Sequence, residues 1–495
     1  MTPGLVASLV ISALIGVLAI GCICWRSTGL FQSRLLWGFL AVGIGLGLSS
    51  CVFFAWLSLV GAPSALFPLG ELGLLVLLAS VALYARKLRQ SRIPFLVRGG
   101  SAVAPTNHRL LSLALWLSVG CATIVFLVQS AASREGGWDA WMTWNMHARA
   151  IFRGGDHWRQ VLNGLPDWSH PDYPLLVPAS VARLWTYMGQ ETPLAPASVA
   201  MLFTFATVGL LYSSVSILRS RTQACLAALL LLGTKFFILH GASQYADVPF
   251  GFFLLATLVL LALTEVWPGD RARLLVLAGV TVGLSAWTKN EGLLLLLAVL
   301  VGYGLVIVRA RGWPTGLRDA RSFAIGLAPV FALIVCFKIW VAPPNDLMSD
   351  QGLGQTAGRL LEGSRYLQVL LGLQHGFLEI SPKGLMGLLL LAYWLCAGPA
   401  PAGPARLGAK TGTIVLCLLL VGYTAVLLTA PAPLLATNVR SINRLLLQLW
   451  PSTLFAYFLS VRSAEEAGVV GRRLSQAEAA PRRPGGSLLP LSEAS

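Results

Sequence analysis

Apolar positions along this chain run together in long blocks instead of alternating in twos or recurring on a single helical face. The blocks fall at roughly 4–25, 35–60, 66–85, 110–131, 193–218, 223–241, 248–267, 274–288, 292–308, 323–342, 382–398, 411–430 and 445–462. A helix needs about 20 apolar residues to cross the hydrocarbon core of a bilayer. The pattern therefore predicts about 13 transmembrane helices joined mostly by short polar connections. Block 4–25 is long for the apolar region of a cleavable signal, and no basic residue precedes it, so it is read as a span.

Composition agrees with that reading. Apolar residues make up 56% of the chain and charged residues only 11%, against about 25% charged in a soluble domain. This excludes an ordinary cytosolic enzyme, a disordered chain and a collagen-like one. The expected fold is an all-α polytopic membrane protein in three parts. These are a three-helix N-terminal extension over 1–109, a transmembrane body over 110–462, and a tail over 463–495. The tail is rich in Ala, Ser, Pro, Glu and Arg and is expected to be disordered.

Charge sets the expected orientation. The chain carries 36 Lys and Arg against 20 Asp and Glu, a formal charge of +16. The excess collects in short connections: Arg86, Lys87, Arg89, Arg92, Arg98 and Arg109 in one, Arg309, Arg311, Arg318 and Arg321 in another. Two shorter ones hold Arg219 with Arg221 and Arg271 with Arg273. With alternating spans all of them share one side, which the positive-inside bias makes cytoplasmic. No nucleic acid partner is needed to explain the charge. The N-terminus is then outside and the tail inside. The eight cysteines lie in or beside apolar blocks, without a metal-type CxxC pair, and read as small apolar residues.

Two long polar segments, about 132–192 and 343–381, fall on the other, external face and hold about half of the acidic residues. Transporters built for alternating access place their polar groups near mid-membrane; here the unusual chemistry lies just outside it. Short amphipathic helices are expected in both loops.

The first loop opens Gly136-Gly137-Trp138-Asp139-Ala140-Trp141-Met142-Thr143-Trp144, directly after a span. Asp139 beside indole rings is expected to be poorly solvated, so its basicity rises toward that of a general base. A chance surface Asp is the blander reading. In a helix the spacing of Trp138, Trp141 and Trp144 keeps them near one face, as interfacial anchors or a platform for stacking a sugar. Trp158, Trp168 and Trp185 add aromatics to the same loop. His170-Pro171-Asp172-Tyr173-Pro174-Leu175 follows, held extended by its prolines before an amphipathic segment ending near Gly189. His157, His170 and Asp172 offer imidazole and carboxylate to a divalent cation, or serve as hydrogen-bonded loop anchors.

Three further charged turns share that face. Asp247, in Tyr245-Ala246-Asp247-Val248-Pro249, either caps its helix or waits for a partner at the rim of the bundle. Lys289, in Trp287-Thr288-Lys289-Asn290-Glu291-Gly292, either pairs with Glu291 or presents a point charge to a phosphate. Residues 438–444 lead into the last span, where Arg444 opposes the helix dipole and gains from an anionic partner. Lys235 and Lys338, near the outer ends of apolar blocks, are read as snorkelling side chains. The Gly43, Gly45 and Gly47 cluster is mid-span and reads as close helix packing. No P-loop, HExxH, GxSxG or DxD motif occurs.

In order, spacing and shared side, these motifs resemble those of the GT-C membrane glycosyltransferases, nearest the branch of protein O-mannosyltransferases and the lipid A aminoarabinose transferase. The resemblance covers about residues 110–460 and makes the first three spans an addition to a GT-C-like catalytic domain. It implies that Asp139 is the catalytic carboxylate, that Asp247 is the second acidic site, and that Lys289 and Arg444 bind the donor phosphate. Asp172-Tyr173-Pro174-Leu175 lacks the Lys of the family's loop motif, so Arg149, Lys289 or Arg444 takes over that contact. His170 and Asp172 fall to the acceptor side, and Trp138 and Trp141 to sugar stacking.

The implied reaction moves a sugar from a polyprenyl-phosphate carrier to a glycan, lipid or protein acceptor, with inversion, on the external or periplasmic face of a bacterial inner membrane. Membrane lipids are the other expected partners. The sequence identifies no certain cofactor and leaves a divalent cation open. A transporter or lipid flippase is the rival from another class, and a non-catalytic glycan-binding subunit is a third. The spans offer few central ionisable groups for a transport path.

Overall fold

The structure is a computed structural model and describes residues 2–24, 33–90, 109–343, 353–381, 384–431, 435–436, 439 and 441–467. Arg92 and Arg98, Asn438 and Arg440, part of the second loop, and tail residues 468–495 lie outside the described residues. Among those described the chain is helical, with one isolated bridge between Pro399 and Val461. Among the described residues nine helices are long and apolar enough to cross a membrane, or eleven if two bent pairs each count as one span, fewer than the roughly 13 expected.

Every expected block but 223–241 coincides with one helix. The first four spans are α1 (Pro3–Ile23), α2 (Arg34–Val60), α3 (Phe67–Gln90) and α4 (Arg109–Ala132). In the first loop are α5 (Asn145–Gly154) and α6 (Leu176–Met188). Then come α7 (Leu194–Leu218), α8 (Arg221–Gly233), α9 (Lys235–Ala242), α10 (Asp247–Val266), α11 (Arg271–Thr288), α12 (Glu291–Arg311) and α13 (Trp313–Trp340). The last four are α14 (Gly363–Ile380), α15 (Leu385–Ala397), α16 (Ala405–Thr429) and α17 (Ile442–Ser460).

Where block 223–241 predicts one straight span, α8 and α9 meet at a 62° break at Thr234. There the Trp450 indole N–H donates to the Thr234 hydroxyl at 3.0 Å, which satisfies polar atoms that hydrocarbon would leave bare. Block 382–398 is the 13-residue α15, too short to cross alone.

Helix α10 is the axis of the bundle. It is buried along its length, packing against α7, α11, α16 and α17, and it places Asp247 at the bundle end that carries the first loop. The described basic residues of the short connections sit at the opposite end. There Arg271 bridges Glu265 at 2.7 Å and Asp319 at 2.9 Å, with the Tyr303 hydroxyl beside them.

The N-terminal helices share the core of the rest: buried residues from Leu5 to Leu459 form one continuous cluster. Gly45 lets α2 pass close to α1, since a Cβ there would lie 2.0 Å from the Ser12 carbonyl oxygen. A Cβ at Gly43 or Gly47 would strike Phe252 or Leu284, so the glycine cluster is a packing surface.

Helix α6 departs from the amphipathic expectation, because Leu176–Trp185 is buried throughout. The cause is its cover: α1, α2, α5, α7 and α11 all pack against it. Arg183 of α6 is 1% exposed and meets Glu71 of α3, 0% exposed, at 2.7 Å. Tyr187 donates to the same carboxylate at 2.6 Å and Arg183 to the Ser8 carbonyl at 3.1 Å. This buried knot joins the extension to the first loop. In contrast, α14 is amphipathic, burying Arg365, Val369, Gly372, Gly376 and Ile380 along one stripe. The eight cysteines are all free.

Candidate active site

The site is assembled at the loop end of α10. Asp247 is the first residue of that helix, where the positive end of the dipole favours a carboxylate. The capping expectation is not met, since the cap position is taken by Ala246 and Asp247 lies one residue inside the helix. Instead its Oδ1 accepts from Lys289 at 2.9 Å and Gln448 at 2.7 Å. Its Oδ2 meets Arg444 Nε at 3.0 Å and His240 Nε2 at 3.0 Å. The break at Thr234 is what turns α9 and carries His240 to this contact.

Arg444 then reaches outward. Its Nη1 lies 2.6 Å from Asp139 Oδ2, and its guanidinium covers the Tyr245 ring at 4.8 Å. Arg444 thus ties a buried carboxylate to a one-third-exposed one, the Asp139 side chain being 32% accessible. The two acids outweigh the unfavourable dipole at the start of α17.

Asp139 is delivered by the Gly-Gly pair before it. Gly136 has φ +80, and the Gly137 N–H donates to the Ser243 carbonyl at 3.0 Å. A Cβ on Gly137 would lie 2.5 Å from the Tyr245 hydroxyl, so only glycine lets the loop press against this turn. The Asp139 N–H in turn donates to that hydroxyl at 3.3 Å.

Downstream, Ala140–Trp144 forms a π-helical turn, a feature common at functional sites. It changes the fate of the tryptophans. Trp138 and Trp141 are exposed and pack edge to face at 5.9 Å, but Trp144 turns inward and is buried. The expected single face assumes α-helical spacing, which the wider turn breaks.

A cavity of roughly 470 Å³ opens beside Asp139, lined by Trp138, Asp139, Met142, Thr143, Trp168 and His170. His170 holds a left-handed conformation, φ 53, and stacks on Tyr173 at 5.0 Å; Trp144 stacks on Tyr173 at 5.7 Å. Trp168, named among the loop aromatics, proves to be a wall of the cavity. Trp141 does not line it, and Trp158 and Trp185 belong to the core.

Lys289 is 4% exposed and braced between Asp247 and Glu291, 2.8 Å away on the other side. Burial alone would weaken the ammonium, but Asp247 and Glu291 outweigh it and hold its pKa above the ordinary lysine value. Asp172 is brought to the same end, where Asn290 donates to it at 2.8 Å. Lys338 donates to the Asp172 carbonyl at 2.6 Å and to the Asn290 side chain at 2.9 Å. It therefore belongs to the site and is not a snorkelling residue. Arg149 is not brought to the cluster: its guanidinium meets Glu135 and, at 3.6 Å, Glu191.

Sequence reasoning missed His240, Gln448 and Lys338, which reach the site from distant blocks. It also missed His147, which is fully buried beside the Ser169 backbone. Burial pushes its pKa down to about 4. Among the described residues no three His, Cys, Asp or Glu side chains converge as a cation site requires.

Residues 169–340 match the family model of dolichyl-phosphate-mannose-protein mannosyltransferases. The matched segment is roughly a third of the chain and contains Asp172, Asp247 and Lys289, while Asp139 and Arg444 flank it. No curated protein and no solved structure gave a match. The family match supports a membrane glycosyltransferase that uses a polyprenyl-phosphate-linked sugar.

Proposed function

We propose that this chain, a membrane glycosyltransferase of the GT-C type, transfers a sugar from a polyprenyl-phosphate donor to an acceptor hydroxyl, with inversion. The face bearing residues 132–192 is the external one, by the positive-inside bias of the opposite end. The observation that carries the reading is the Arg444 bridge, which puts one cation in contact with both the cavity-lining Asp139 and the buried Asp247.

In the free protein Arg444 occupies Asp139. A donor phosphate entering beside Arg444 competes for the guanidinium and releases the carboxylate toward the cavity. Asp139 then takes the proton of the acceptor hydroxyl, and the oxygen attacks the anomeric carbon from the face opposite the phosphate. The bond from that carbon to the phosphate oxygen breaks, and polyprenyl phosphate leaves with the electron pair. Arg444 stabilises the charge that develops on it.

Lys289 braces Asp247, which fixes Arg444 from beneath. Lys338, 30% exposed, is a second cation available to the phosphate, in place of the Lys missing after Asp172. Trp138, Trp168 and His170 face the sugar and acceptor in the cavity. Among the described residues no three His, Cys, Asp or Glu side chains converge, and the steps above are carried by side chains alone.

The test is a transfer assay on purified protein with a panel of polyprenyl-phosphate hexoses and pentoses, polyprenyl-phosphate mannose among them. Free polyprenyl phosphate and a product of inverted anomeric configuration are expected. Movement of intact donor across vesicles without bond cleavage would favour a flippase instead.

A further inference from the structure

The end of the bundle opposite the candidate site holds a second cleft, of roughly 790 Å³, between the ends of α7, α10 and α17 and the start of α16. Its mouth is basic. Arg406 and Lys410 lie one turn apart on α16, are exposed, and have no side-chain hydrogen bond or ion pair among the described residues. Its floor is apolar, made by Leu218, Val266, Ile414 and Leu459.

Arg219 also lines the cleft. It is 9% exposed and paired with Glu466 at 2.8 Å, and a second donated bond reaches the Val461 carbonyl at 3.1 Å. Its Nε is nevertheless buried without a hydrogen-bond partner, a condition native proteins seldom leave unfilled. The cleft holds three cations and one carboxylate, which Arg219 already engages. The uncompensated charge is therefore positive and sits at the mouth. Lys410, Thr413 and Ile414 follow one another along α16, so the cleft passes from charged to apolar along a helix long enough to span a bilayer.

A free phosphate would use the mouth and leave the apolar floor bare, whereas a zwitterionic lipid would leave the charge uncompensated. We propose that this cleft binds the phosphate headgroup of an anionic glycerophospholipid, with Arg406 and Lys410 on the phosphate and an acyl chain descending beside Ile414. The site is separate from the reaction and does not depend on the glycosyltransferase reading.

Delipidated full-length protein is titrated with phosphatidylglycerol, phosphatidylcholine or soluble glycerol phosphate, and retained lipid is counted by native mass spectrometry. Wild type is expected to retain phosphatidylglycerol in preference to phosphatidylcholine. Arg406→Gln/Lys410→Gln is expected to bind one phosphatidylglycerol fewer, with affinity at that site down about tenfold or more. Arg309→Gln/Arg318→Gln, which removes the same charge elsewhere on that face, is expected to behave as wild type. Equal retention by the Arg406/Lys410 variant, equal loss in the Arg309/Arg318 control, equal binding of phosphatidylcholine, or full competition by glycerol phosphate would each overturn the proposal.

Discussion

Arg444 holds Asp139 at 2.6 Å while its Nε stays 3.0 Å from Asp247. Two parallel demands on one guanidinium suit the planar fork of arginine and not the point charge of lysine. Arg444→Lys is therefore expected to lose the simultaneous contact and lower kcat by about 10²–10³, the usual effect of removing a donor from a developing anion. Steady-state kinetics with a fixed acceptor check this. A kcat within threefold of wild type would show that the bridge is not used in the reaction.

Asp247 is the electrostatic centre of the buried cluster. Removing it leaves Lys289 paired with Glu291 alone and Arg444 with Asp139 alone, and breaking such a buried set on one side costs about 3–5 kcal/mol. Asp247→Ala is expected to lower the thermal midpoint in detergent sharply. Asp247→Asn, which keeps one acceptor oxygen and so two of its four partners, falls between. Glu135→Ala, at the separate Arg149 surface pair, is expected to leave the midpoint nearly unchanged.

The spans and the charged turns were readable from the chain because each interrupts a long apolar block with a residue that hydrocarbon does not tolerate. Asp139, Asp247, Lys289 and Arg444 stand out for that reason, and they do converge. What the pattern hides is pairing across distance. Glu71 with Arg183, His240 with a carboxylate beyond a helix break, and Lys338 with Asn290 depend on how helices pack, which local periodicity does not encode. The π-turn that buries Trp144 is hidden for the same reason, since three-residue spacing reads identically in an α-helix.

The Glu71–Arg183 knot makes the N-terminal helices a support for the first loop. Arg183→Met alone strands a buried carboxylate and is expected to destabilise by about 3–5 kcal/mol, whereas Glu71→Leu/Arg183→Met recovers most of the loss. Thermal midpoints of the two single variants and the double variant measure the coupling. Additive losses would show that the two side chains act independently.

His147 makes stability depend on pH. Its folded pKa of about 4 lies below the ordinary 6.5, so the unfolded chain binds the proton more readily. The contribution is fully present above about pH 6.5 and is lost as pH falls toward 4, for a total of about 3 kcal/mol. Midpoints recorded from pH 7 to 4.5 are expected to fall, and to fall less steeply in His147→Leu. Parallel curves for the two proteins would assign the acid sensitivity elsewhere.

The most direct test compares single-turnover transfer by wild type and Asp139→Asn, with donor binding measured on the same samples. A general base contributes about 10²–10⁴ in rate. The expected result is a loss of at least about a hundredfold with donor affinity equal to or above that of wild type, because the carboxylate no longer competes for Arg444. Turnover within a few-fold of wild type at full donor occupancy would contradict the assignment of Asp139 as the base.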